Sequence, residues 1–107
     1  MNNLQEQFVE VCPVRRTLEL FQGKWNVRVI YELSNADFTR FGELKKLVGG
    51  ITNTMLTSTL RELETKGIVH RQQFNEIPPH VEYSLTESGK ALSVIFDEMR
   101  TWGTKYL

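Results

Sequence analysis

The chain has 107 residues, 40% of them hydrophobic and 24% charged, a balance that fits one soluble globular domain. Its formal net charge is zero, which argues against indiscriminate polyanion binding driven by overall charge. No apolar run approaches the roughly 20 residues needed to cross a bilayer, and the single cysteine excludes an internal disulfide.

The opening stretch, MNNLQEQFVEV, carries Glu6 and Glu10 and no basic residue, so no secretory signal is expected there. A reducing cytoplasm is the default compartment. Leu4 and Phe8 form an apolar pair ahead of the first clear helix. Pro13 suits the first turn of that helix, where a missing N–H costs nothing. The helix is expected to reach Phe21, with Leu18 and Phe21 facing inward and Gly23 ending it. A second helix, Lys24 to Ser34, carries Val27, Ile30 and Tyr31 at helical spacing.

Phe38 and Thr39 suit a very short strand. FGELKKLV then reads as a short helix with Phe41, Leu44 and Leu47 on one face. Gly49 and Gly50 break it, and Thr52 is a plausible N-cap for the next helix. That helix runs to Gly67 with Leu56, Leu60 and Leu63 clustered on one side. IVHRQQF and VEYSL read as strands, Val81, Tyr83 and Leu85 alternating with Glu82 and Ser84. The connector, NEIPPH, is too long for a two-residue turn. Thr86 caps a last helix running to Tyr106, with an apolar stripe of Ala91, Leu92, Ile95, Phe96, Met99, Trp102 and Tyr106.

A short helix, a glycine turn, a second helix and a two-stranded ribbon make a winged helix-turn-helix. The expected class is mainly α (α+β), with a two- to three-stranded β-wing. The charge distribution points to the same region. Residues 38–74 hold six basic side chains against three acidic ones, whereas residues 1–37 and 75–107 are both net acidic.

Within that basic segment, the face opposite the leucines offers Thr54, Thr57, Ser58, Arg61 and Thr65. No acid lies in that arc, and Glu62 and Glu64 flank it. A helix lying in a DNA major groove must exclude carboxylates and present short donors that let its backbone approach closely. Threonine supplies a hydroxyl and a methyl, and Arg61 can fork onto guanine or a phosphate. Free N–H groups at the helix start, near Asn53, suit a phosphate. The plainer reading is a solvated face, but Thr and Ser lower helix propensity. Lys45, Lys46 and Arg71 are candidate phosphate contacts, and His80 a candidate backbone contact.

Cys12 precedes Pro13 at a helix start with Arg15 and Arg16 nearby, features that favour a thiolate. Burial as a small apolar residue is the other reading. His70 and His80 have no Cys or carboxylate at metal-ligand spacing, so neither a metal nor another cofactor is expected. Trp25 and Trp102 read as core or interface residues. The terminal stripe, with Leu4 and Phe8, is wider than a small core can cover, which implies a two-fold partner.

Taken together, CPVRRTLELFQGKW, RFGELKKLVGGITNTMLTSTLRELETKGIV, PPHVEYSLTESG and WGTKYL resemble the HxlR family of winged-helix transcriptional regulators, which are similar to MarR-type regulators in plan. The resemblance covers Cys12 to Leu107. It implies a homodimer on double-stranded DNA at a palindromic operator, with the helix from Asn53 to Lys66 in the major groove and residues 68–85 as the wing. It implies one domain over 1–107, a helix-turn-helix over 41–66, and dimerisation helices over 1–22 and 87–107. Leu4, Phe8, Ile95, Met99, Trp102 and Tyr106 are the expected interface residues. Members commonly respond to a small-molecule or electrophile effector, and some use a cysteine matching Cys12 as a redox switch. The family often has basic residues at Thr54 and Thr59 and at the wing tip, His80, so weaker phosphate attraction is expected here.

A winged helix reused as a protein-interaction module without DNA binding is the competing reading. No Ser/His/Asp set, phosphate loop or paired carboxylates mark an enzyme.

Overall fold

Residues 12–107 are described by the computed structural model; Leu4 and Phe8, expected at a subunit interface, lie outside them. The chain runs through α1 (Pro13–Leu20), α2 (Asn26–Leu33), β1 (Thr39–Arg40), α3 (Phe41–Val48) and α4 (Asn53–Thr65). It continues through β2 (Val69–Phe74), β3 (His80–Leu85), α5 (Glu87–Lys90) and α6 (Ser93–Tyr106). The three strands form one antiparallel sheet in the order β1-β3-β2. This is a mostly helical winged helix with a small sheet.

The core is built by α2, α3 and α4. Val29, Ile30 and Leu33 of α2 meet Leu44 and Val48 of α3 and Leu56, Leu60 and Leu63 of α4. Ile68, Val69 and Leu85 close it from the hairpin side. Fully burying such side chains contributes about 1.5–3 kcal/mol each, so the three-helix packing is what holds α4 in place.

Two apolar side chains depart from their expected places. Leu18 is exposed rather than inward, because α1 buries no residue and touches the core only through Leu20 and Phe21 at its end. Val14, Leu18 and Phe21 form a stripe that borders a groove instead. Leu47 is also exposed. The inward pair of α3 is Leu44 and Val48, four residues apart, which leaves Leu47 to the side.

Both ends of α4 are closed locally. Thr52 Oγ1 accepts the backbone N–H of Met55 at 3.1 Å, which satisfies one of the donors a helix start leaves free. At the other end Gly67 adopts φ +75°, and the N–H of Ile68 reaches Leu63 O at 2.9 Å while that of Gly67 reaches Glu64 O at 3.0 Å. This paired pattern is a Schellman motif, and Ile68 and Leu63 belong to the same core cluster, in keeping with the apolar contact that often accompanies it. The helix therefore has a defined length.

The expected single terminal helix is divided. Thr86 caps only the four-residue α5, accepting Gly89 N–H at 3.3 Å. The chain then turns at Ala91 and Leu92 before α6 begins. Just before that turn the segment packs closely at Gly89, where a Cβ would stand 2.5 Å from Ile68 O. Thr86 Oγ1 donates to Gly67 O at 2.6 Å, and Ser88 Oγ donates to the same carbonyl at 3.0 Å. These bonds clasp the start of the terminal segment to the root of the wing.

Candidate nucleic-acid interface

With its leucines committed to the core, α4 turns its other side outward. Asn53, Thr54, Thr57, Ser58 and Arg61 border one shallow cavity of about 350 Å³. All are exposed except Thr57, which is half-buried. No carboxylate borders this cavity, as the helical spacing predicts. Thr65 is exposed but lies beyond it.

A second groove, of about 570 Å³, separates α4 from the wing and is lined by Thr57, Arg61, Glu64, Arg71 and Tyr83 among others. It brings Arg61 of the helix and Arg71 of β2 to one channel. Arg71 donates to Gln73 Oε1 at 3.4 Å, and among the described residues neither arginine forms an ion pair. Both guanidiniums are available to an anion. Glu64, which the helical projection leaves outside the polar arc, enters this groove. The placement follows from where the wing folds back, and no helical projection contains that.

The other candidates lie elsewhere. Lys45 and Lys46 occupy the last turn of α3, where positive charge favours a helix end, and neither borders the two grooves. His80 starts β3 with its ring stacked on Phe74, centroids 4.7 Å apart, and Nε2 lies 3.4 Å from Glu82. Its imidazole is thus already engaged. Thr59 is buried, so that position does not front the outer face of α4 at all. A missing base there removes no groove contact in this chain.

Cys12 is half-exposed in the single chain, just before the start of α1. The backbone N–H of Arg15, then that of Val14, hold its thiol below the ordinary value, and the Arg15 charge adds to them. In the single chain the thiol is partly accessible to solvent. Among the described residues no three His, Cys, Asp or Glu side chains gather as a metal site. No helix among them is long and apolar enough to cross a membrane.

Away from these two grooves, α6 carries Ile95, Met99, Trp102 and Tyr106 exposed. Val14 and Leu18 of α1, Phe21 just after it, and Ile95 and Met99 of α6 line an apolar groove of about 450 Å³. Only Phe96 of α6 is buried, packed edge-on against Tyr31 at 5.5 Å. Three of the four described interface candidates, Met99, Trp102 and Tyr106, are at least half exposed in the single chain.

Comparison with known proteins extends these observations. Residues 20–107 match the profile of the HxlR-like helix-turn-helix family. The chain is 46% identical over 97 residues to the uncharacterized HTH-type transcriptional regulator YdeP of Bacillus subtilis, covering 91% of this chain and 75% of that one. A solved regulator assigned to the MarR family, from Porphyromonas gingivalis W83, is 41% identical with a TM-score of 0.83, covering 90% of this chain and 93% of its own. The redox regulator HypR in its oxidized form is 44% identical with a TM-score of 0.79, over 90% of this chain and 98% of its own.

Proposed function

The chain belongs to the HxlR-like helix-turn-helix family of transcriptional regulators, and from that premise we propose that it acts as a cytoplasmic homodimeric repressor on duplex DNA. In this reading α4 enters the major groove, the β2–β3 hairpin serves as the wing, and two protomers engage the halves of a palindromic operator. The observation that carries it is the convergence of Asn53, Thr54, Thr57, Ser58 and Arg61 on one carboxylate-free cavity beside a groove that holds Arg71. A major groove about 12 Å wide admits one α-helix. Short hydroxyl side chains let the backbone come close, and the two arginines flank the path of a phosphate strand.

Anisotropy with labelled duplex from the region upstream of the protein's own gene tests this. Binding should weaken steeply as salt rises, because each neutralised phosphate releases counterions. Scrambled duplex should bind more weakly. Equal affinity for both duplexes, or no dependence on salt, would leave a protein-interaction module as the better description. Arg61→Ala should cost about 1–3 kcal/mol, a loss of roughly 5- to 150-fold, if the guanidinium reads a base. An unchanged dissociation constant removes that role.

Cys12 makes the regulator responsive to oxidants or electrophiles. The half-exposed thiol with its lowered pKa supports this, as does the likeness to a redox regulator solved in an oxidized form. Diamide treatment, which draws two thiols into a disulfide while itself being reduced to the hydrazine, should yield a crosslinked dimer with altered operator affinity. The Cys12→Ser variant should show neither change. If the native protein also shows neither, the disulfide route is excluded.

A further inference from the structure

Asn26 opens α2 and is 8% exposed. Its Nδ2 donates to Leu20 O at 3.1 Å and to Glu62 Oε2 at 2.7 Å. One amide nitrogen therefore joins the last residue of α1 to the last turn of α4. We propose that Asn26 is a positioning residue for DNA recognition: it fixes the rotation of α4 against the end of α1. The proposal rests on the DNA-binding reading above and adds what sets the aim of the helix.

The need for such a contact follows from the packing. Leu56, Leu60 and Leu63 decide which side of α4 faces the core, but hydrophobic burial is non-directional and tolerates small rotations. A hydrogen bond does not. The side-chain envelope of a helix has a radius of about 5–6 Å, so a rotation of roughly 15° swings its surface by about 1.5 Å. The useful range for a hydrogen bond spans only about 0.5 Å. Arg61 immediately precedes Glu62, so an error in the rotation of α4 is passed directly to the guanidinium.

Two further observations agree. Lys66 Nζ holds the same Glu62 oxygen from the next turn at 3.3 Å. The Asn26 bond, followed by that of Lys66, keeps the Glu62 carboxyl below its ordinary range. The acceptor is therefore ionised at neutral pH and suited to a short bond. Ser58, on the outward face, borders the same cavity as Asn26 and Glu62. The tether stands directly behind the recognition surface.

The test compares full-length native protein, Asn26→Ala, Glu62→Ala and the double variant, each well below its melting temperature. The readout is the ratio of affinities for two duplexes, one selected from a random pool by the native protein and one with that sequence scrambled. Each single variant should lose about tenfold on the selected duplex and less than about twofold on the scrambled one. The double variant should be no worse than either single, since both remove the same tether. A thermal destabilisation with an unchanged ratio overturns the proposal, as does an additive loss in the double variant. If Asn26→Ala fails to fold, the half-exposed Glu62→Ala decides by the same ratio. A native protein with no preference for any duplex overturns the DNA-binding reading as well. A preference that survives both substitutions overturns the positioning role alone.

Discussion

Replacing Met99 and Trp102 together with aspartate is expected to convert the protein to a monomer and to weaken operator binding by more than about 100-fold. Both side chains are at least half exposed in the single chain, so the substitutions leave the core of the protomer intact. In a paired molecule they would be desolvated, and a buried aromatic or Met anchor commonly carries 2 kcal/mol or more of association energy. Two carboxylates set into that apolar surface add a desolvation cost. The DNA effect follows from linkage. A dimer presents its second α4 to the second half-site at high effective concentration, and a monomer loses that advantage. Light scattering and anisotropy on the same sample measure both quantities. A variant that stays dimeric, or a monomer with native affinity, contradicts the assignment of this face.

Gly89→Ala is expected to destabilise the fold by about 2 kcal/mol or more. An added Cβ would stand 2.5 Å from Ile68 O and 3.1 Å from Leu85 Cβ. Ile68 O cannot simply retreat, since it accepts the N–H of Thr86 at 2.9 Å and is also approached by Thr86 Oγ1 at 3.2 Å. Relief must come by moving α5 away from the wing root, which breaks the bonds from Thr86 and Ser88 to Gly67 O. For a domain of this size such a loss lowers the melting temperature by roughly 8–16 °C. Thermal circular dichroism measures it. A shift below about 2 °C would mean that the segment yields without strain.

What could be read from the sequence divides along physical lines. Thr52 and Thr86 are legible as caps because each hydroxyl stands just before a helical segment, and Gly67 is legible as a stop because a left-handed turn favours glycine. The Leu56, Leu60 and Leu63 side of α4 follows from period alone, and with it the outward face. Leu18 and Leu47 show the limit of that method. Period says which side of a helix is apolar but not what stands opposite it, and for Leu18 the neighbour is a groove rather than the core. The turn at Ala91 and Leu92 is invisible because the apolar stripe runs on through it. Asn26 reads as an ordinary polar residue near a helix start. Its two partners come from segments 6 and 36 residues away, and no local pattern contains them.

Glu64 sits in the channel between helix and wing beside Arg61 and Arg71. Under the proposed DNA-binding function, a negative group there would repel every sugar-phosphate strand alike, while base contacts would act at the operator only. Dwell on arbitrary sequence would shorten, and less of the protein would be stored on irrelevant sites. Under that function a weaker grip overall would give a faster search, which suits a regulator with no net charge.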